Sequence, residues 1–214
     1  MKKTKFNLDT EIKKIIKKFN INDNWNKNII KEIEKYKNKK TNKNINNRKD
    51  LRKLDFVTID SEDAKDFDDA VYCEKLGRNW KLFVAIADVA HYVKNKSHID
   101  KEARKRGTSV YFPNYVVPML PEILSNDLCS LKPNKDKYTI MAEIIINHEG
   151  KIKSYNFYNS IIRSSARLTY NQVDEFIKNQ NIIKNKNIIK NINNLFSLYK
   201  ALEKSRNKRN AVHF

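Results

Sequence analysis

Six carboxylates, Asp60, Glu62, Asp63, Asp66, Asp68 and Asp69, fall within ten positions, and no other feature constrains the folding of this chain as strongly. Like charges at this density repel, and gathering them in a folded structure is costly without a countercharge. Lys65 is the one cation inside the run. The run is bracketed by strand-like sequence. Phe56-Val-Thr-Ile-Asp60 is β-branched and ends on the first carboxylate, and Asp69–Leu76 begins on the last. A loop closing between two such strands can turn Asp60, Asp66, Asp68 and Asp69 onto one point. Carboxylate oxygens select hard divalent ions, Mg²⁺ with Mn²⁺ as the substitute, over softer ones. Metals held this way activate water and stabilise the leaving oxygen of a phosphodiester.

Three other readings of the run compete. A solvated acidic loop is what composition alone favours. An EF-hand is excluded, because the sixth position from Asp60 is Lys65 rather than Gly and the twelfth is Val71 rather than Glu. Asp60-Ser-Glu62 after a strand resembles the first motif of the DEDD exonucleases, although the later acidic partners do not fall at convincing positions.

The acidic run stands against the trend of the chain. Of 214 residues, 44 are Lys or Arg and 25 are Asp or Glu, a net charge of +19. The net charge is +10 over residues 1–50, −2 over 51–100, +1 over 101–150 and +10 over 151–214. Two basic ends therefore flank an acidic middle. Basic surfaces attract polyanions, and neutralising phosphates makes that binding strong and salt-dependent. Lys, Asn and Ile are abundant together throughout, so part of the excess Lys reads as compositional bias. Hydrophobic residues make up 40% of the chain, enough for a core, so wholesale disorder is excluded. No apolar run approaches the roughly 20 residues of a membrane helix, and the basic N-terminus lacks the apolar stretch of a secretory signal. Cys73 and Cys129 stand far apart without a partner motif, which suits a reducing cytoplasm rather than a disulfide or zinc scaffold.

Helical spacing of apolar residues predicts helices over 8–19 and 25–37, followed by a polar linker over 38–50. Phe56–Asp60, Asp69–Leu76 and Trp80–Ala87 read as strands, the last two joined at Gly77-Arg78-Asn79 as an antiparallel hairpin. A short helix is expected over Ile99–Arg106. Gly107–Pro121 carries three prolines and reads as an ordered loop rather than a regular element. Tyr138–Asn147 and Lys151–Tyr158 form a second hairpin, and Tyr170–Lys178 and Ile188–Asn207 read as helices. Hairpins with interspersed helices indicate an α+β domain, a mixed and mainly antiparallel sheet after an N-terminal helical lead-in. The expected division is a basic helical lead-in and linker over 1–50 and a catalytic domain over 51–214.

Longer motifs go beyond this reading. Asp50-Leu-Arg-Lys-Leu-Asp-Phe-Val-Thr-Ile-Asp60 followed by Asp63-Ala-Lys-Asp-Phe-Asp-Asp-Ala-Val71 resembles the signature of the ribonuclease II / ribonuclease R family in its catalytic RNB domain. The likeness continues in Val84–Val89, Gly107–Pro113, Pro118–Pro121, Leu124–Leu131 and Ala166–Tyr170. It covers about residues 50–214, and GTSVYFP and DAVYCEK bring it closer to the ribonuclease R branch than to ribonuclease II.

The resemblance implies a 3′→5′ exoribonuclease that hydrolyses single-stranded RNA to nucleoside 5′-monophosphates. By resemblance Asp60, Asp66, Asp68 and Asp69 hold Mg²⁺ at the scissile phosphate, with Asp68 the most directly tied to cleavage. By resemblance Tyr111 and Phe214 match aromatics that stack the terminal bases, a sequence-tolerant contact, and Tyr170 matches a further tyrosine near the 3′ end. Family members are much longer, with cold-shock domains before the catalytic domain and an S1 domain after it. The chain reaches about halfway through such a domain, so the resemblance implies a partial chain, completed by a C-terminal half or a partner chain. A catalytically inactive, basic RNA-binding remnant of such an enzyme is the alternative.

Overall fold

A computed structural model describes residues 7–37, 47–179 and 182–210. Its contacts divide the chain into two compact units, Met1–Asn42 with Tyr92–Ile123, and Lys43–His91 with Leu124–Phe214.

The first unit is built on helices. Helix α1 (Leu8–Lys18) is capped by Asn7, whose side chain accepts the Thr10 N–H at 3.0 Å. Its buried Ile12 and Ile16 pack with Val117, Val110 and Phe112. Helix α2 (Lys27–Lys37) buries Ile29 completely. The chain re-enters this unit after the short turn α3 (Val89–Tyr92), and helix α4 (His98–Arg106) begins on a Ser97 cap and stops at Gly107, where φ is +74°. The region expected to be a loop is a small antiparallel hairpin, β5 (Val110–Phe112) with β6 (Tyr115–Val117). Pro113 falls in the turn and Pro118 just beyond the second strand. The prolines therefore bound the hairpin, at positions where no ladder N–H is required, instead of forbidding it.

The second unit is a seven-stranded sheet in the order β1-β8-β7-β4-β3-β2-β9. Its strands are β1 (Lys49–Asp50), β2 (Val57–Asp60), β3 (Asp69–Leu76), β4 (Asn79–Ala87), β7 (Asp136–Ile146), β8 (Ile152–Arg163) and β9 (Ala166–Thr169). The β3–β4 and β7–β8 hairpins are antiparallel as expected, and β7 joins them by pairing with β4. Gly77, with φ +60°, is the first of two residues between the closing pair Leu76 and Asn79, the place a tight hairpin turn favours glycine. Two strands depart from the expectation. Lys49–Asp50, read as the end of a linker, pairs in parallel with Ser160 and Ile161 of β8; residues 38–46 of that linker lie outside the described residues. Ala166–Thr169 pairs in parallel with all of β2.

Helices α5 (Tyr170–Asn179) and α6 (Lys186–Lys208) cover one sheet face. Val57, Leu168, Phe176, Ile188 and Ile192 form one core there, and Cys73, Trp80, Ile146 and Leu198 a second. By strand alternation Phe56, Tyr72 and Phe83 face the other way, with ring centroids 5.8–6.4 Å apart. Cys73 is paired with Leu82 of β4, but strand β2 meets β3 only near Val71, which leaves the β2 side of Cys73 without a strand partner. Asn191 and Asn194 of α6 replace it: Asn191 accepts the Cys73 N–H at 2.9 Å, and Asn194 donates to the Cys73 carbonyl at 2.9 Å. In the β7–β8 turn Gly150 has φ +77°, and an added Cβ would lie 2.5 Å from the Ala201 carbonyl oxygen of α6, so no side chain fits. The arrangement is the α+β, mainly antiparallel architecture expected from the sequence.

Glu143 on β7 gathers Lys81 at 2.7 Å, Lys49 at 3.2 Å and the Tyr158 hydroxyl at 2.5 Å. Burial pushes its carboxyl up, but the bonds from Lys81, Tyr158 and Lys49 outweigh this and hold it at about 2, against an ordinary 4.5. A depressed folded pKa contributes stability that is present above the unfolded value and lost as pH falls toward the folded one. Glu143→Gln should therefore lower the melting temperature at pH 6 and lose that difference progressively between about pH 5 and pH 2, as thermal melts across pH will show.

Candidate active site

Strand β2 delivers Asp60 at its end, and β3 starts on Asp69, so the carboxylate run is the connection between two neighbouring antiparallel strands. Asp60 accepts the Ser61 N–H at 2.7 Å, which turns the chain out of the strand. The connection then returns in extended form, with Phe67 buried and Asp66, Asp68 and Asp69 left toward solvent. Its backbone is tied on both sides. The Ser130 hydroxyl accepts the Phe67 N–H at 3.1 Å and donates to the Lys65 carbonyl at 2.9 Å. The Leu131 N–H donates to the Phe67 carbonyl at 2.8 Å, and the Ala87 N–H to the Asp68 carbonyl at 2.9 Å. Nearer Asp60, Arg167 donates to the carbonyls of Ser61, at 3.0 Å, and Glu62.

The four predicted carboxylates act on one another. Partial burial raises the pKa of Asp68, and the charges of Asp66, Asp69 and Asp60 raise it further. Burial and the charge of Asp60 do the same to Asp69. Among the described residues no ion pair reaches any of the four. Nor do three His, Cys, Asp or Glu side chains converge tightly enough, as placed, to hold one ion. The donor chemistry fits a hard divalent cation: four carboxylates in one neighbourhood, two of them raised in pKa, with no protein cation paired to any of them.

Tyr170 opens α5 directly after β9 and is 61% exposed. Together with Ser61, Glu62, Thr169 and Asn171 it lines a cleft of about 280 Å³ beside the carboxylate loop. Tyr111 lies on strand β5 of the other unit and is 68% exposed. Phe214 lies outside the described residues. Sequence reasoning singles out the carboxylates but not their tethers: Ser130 and Arg167 stand inside the stretches LSNDLCSL and ARLTY, yet nothing local marks either as a partner of residues 61–67.

The RNB domain model matches residues 48–214. The chain belongs to the RNB domain family. Within it, the chain is similar to ribonuclease R: it is 48% identical over 170 residues to that of Escherichia coli strain K12, covering 78% of this chain and 21% of the relative. It is 50% identical over 157 residues to ribonuclease R of Mycoplasmopsis pulmonis, covering 73% of this chain and 22% of the relative. Mycoplasma genitalium RNase R in complex with double-stranded RNA superposes with a TM-score of 0.87 at 36% identity, over 93% of this chain and 36% of that one. The same enzyme in complex with ribose-methylated single-stranded RNA also gives 0.87. The chain thus spans about a fifth of the length of the curated relatives it matches. Among the described residues no helix is long and apolar enough to cross a membrane.

Proposed function

We propose that the chain carries the acidic catalytic segment of an RNB-type 3′→5′ exoribonuclease, which hydrolyses single-stranded RNA to nucleoside 5′-monophosphates with Mg²⁺. The observation that carries this reading is the set of four carboxylates, Asp60, Asp66, Asp68 and Asp69, on one tethered connection between β2 and β3, where the charges of Asp60, Asp66 and Asp69 bear on Asp68. These four would hold the metal, which when bound supplies a Lewis acid that polarises the phosphate and generates the attacking hydroxide. Asp68 is the member of the four that we tie most directly to cleavage; the bond from the Ala87 N–H to its carbonyl and the charges of Asp66, Asp69 and Asp60 around it set it at the centre of the group. Tyr170 and Tyr111 present exposed rings on which bases can stack, worth about 1–3 kcal/mol per base. The relatives solved with RNA support RNA as the partner.

The test is a transplant. The aligned 170-residue segment of this chain replaces its counterpart in E. coli ribonuclease R, and 5′-labelled oligo-A is followed with Mg²⁺ and with chelator. We expect degradation from the 3′ end that chelator stops. A chimera that folds and binds RNA but does not shorten it would favour the inactive RNA-binding reading instead.

A further inference from the structure

The carboxylate connection has a mechanical problem that its own side chains do not solve. Six carboxylates within ten positions push the loop apart. Asn171 holds the Glu62 carboxylate at 3.1 Å and Asp60 accepts the Ser61 N–H, but the bonds from Ser130, Leu131, Ala87 and Arg167 end on backbone atoms, and among the described residues none ends on the carboxylates of Asp66, Asp68 or Asp69. Ser130 is fully buried, and its single hydroxyl bridges Lys65 C=O and Phe67 N–H, the two residues flanking Asp66. Arg167, held in register on β9 opposite Thr58 of β2, reaches the carbonyls of Ser61 and Glu62 immediately after Asp60. Its Nε is buried without a hydrogen-bond partner, so the loop carbonyls fix the guanidinium. The guanidinium also lies 5.5 Å from the ring of Phe67, the apolar anchor between Asp66 and Asp68.

We propose that Ser130 and Arg167 are positioning residues that clamp the two ends of the carboxylate connection, and so fix the backbone from which Asp60, Asp66 and Asp68 close on a divalent cation. The inference rests on the metal reading above. Partners that orient ligands without touching the metal are typically worth about 10–100-fold in metal affinity. Arg167 offers a sign test, because its charge and its geometry predict opposite results. If it acts only as a nearby positive charge, removing it tightens cation binding. If it acts as a clamp, removing it loosens the loop and weakens binding. Both bonds leave one guanidinium nitrogen, Nη2, so a lysine keeps the charge and, with three donors on one nitrogen, the means to serve both carbonyls.

The experiment uses the full 214-residue chain, with Mn²⁺ as the probe metal in calorimetry and amide hydrogen exchange as the second readout. Ser130→Ala and Arg167→Gln should each weaken Mn²⁺ binding about tenfold, the lower end of the range for such partners, and Arg167→Lys should restore part of the loss. Melting temperatures report separately whether the fold is kept. Ser130→Ala should also speed exchange of the Phe67 amide about tenfold, as expected for losing one buried hydrogen bond. Tighter Mn²⁺ binding in Arg167→Gln overturns the clamp and leaves a charge effect. Unchanged Phe67 exchange in Ser130→Ala overturns it as well. A wild-type chain that binds no Mn²⁺ sinks the metal reading instead; Phe67 exchange then decides the tethers alone, faster exchange supporting them and unchanged exchange overturning them.

Discussion

Replacing Asp68 with asparagine in the transplanted segment should lower the rate of RNA hydrolysis by about 10²–10³-fold, the span of one preorganised electrostatic group, while RNA affinity stays within a few-fold of the parent. The substitution keeps the size and shape of the side chain and removes only its charge and basicity. The same variant of the 214-residue chain should be more stable than wild type at neutral pH. The folded pKa of Asp68 lies above its ordinary 3.8, so its charged form opposes folding. That penalty is absent below the ordinary carboxylate range and develops as pH rises from about 3.8 to the raised folded value. The gain in melting temperature of Asp68→Asn should therefore vanish near pH 3 and grow as pH rises above about 3.8, so that it is larger at pH 7 than at pH 4. A variant that hydrolyses RNA at the parental rate would remove Asp68 from the chemistry, and one that is less stable at pH 7 would contradict the crowding of the four charges.

Single-stranded RNA should bind the chain without regard to sequence and with a steep salt dependence. The net charge of +10 over residues 1–50 and again over 151–214 supplies the attraction. Single strands lose about 0.7 in log affinity per log salt for each phosphate neutralised, so six to ten contacts imply a fall of about 10³-fold between 50 and 200 mM salt. Helix α1 exposes Lys13, Lys14, Lys17 and Lys18 on the side away from buried Ile12 and Ile16. Replacing these four with glutamine should flatten the slope. Tyr111→Ala should weaken binding about tenfold, one stacked base, and leave the slope unchanged, because stacking releases no counterions. Fluorescence anisotropy across a salt series separates the two effects. An affinity that barely moves between the two salt concentrations would place the excess Lys with compositional bias rather than with RNA.

Much of the site was legible from residues alone because its signals are local. Asp60 ends a β-branched run and Asp69 begins another, so the strands and the connection between them follow from neighbours in sequence. The two hairpins carry their own turn residues, Gly77 and Gly150, and α1, α2, α5 and α6 carry a helical apolar period. The family was legible for a different reason: several long motifs stand in one order over residues 50–214. What stayed hidden lies in pairings between distant positions. Four residues of β9 acquire strand form from β2, more than a hundred positions earlier, and two residues of β1 from β8. Neither segment is long enough to show a period of its own.

The prolines of 107–121 misled for the complementary reason. Proline weakens a strand only where its missing N–H is needed, and whether it is needed depends on a partner strand. The residue types thus determined by themselves where the carboxylates gather and which cation chemistry they suit. Only the tertiary structure decided what holds them there. Ser130, Leu131, Ala87 and Arg167 act through backbone groups of residues 61–68, and a hydrogen bond to a carbonyl or an amide leaves no trace in the identity of the residue that receives it.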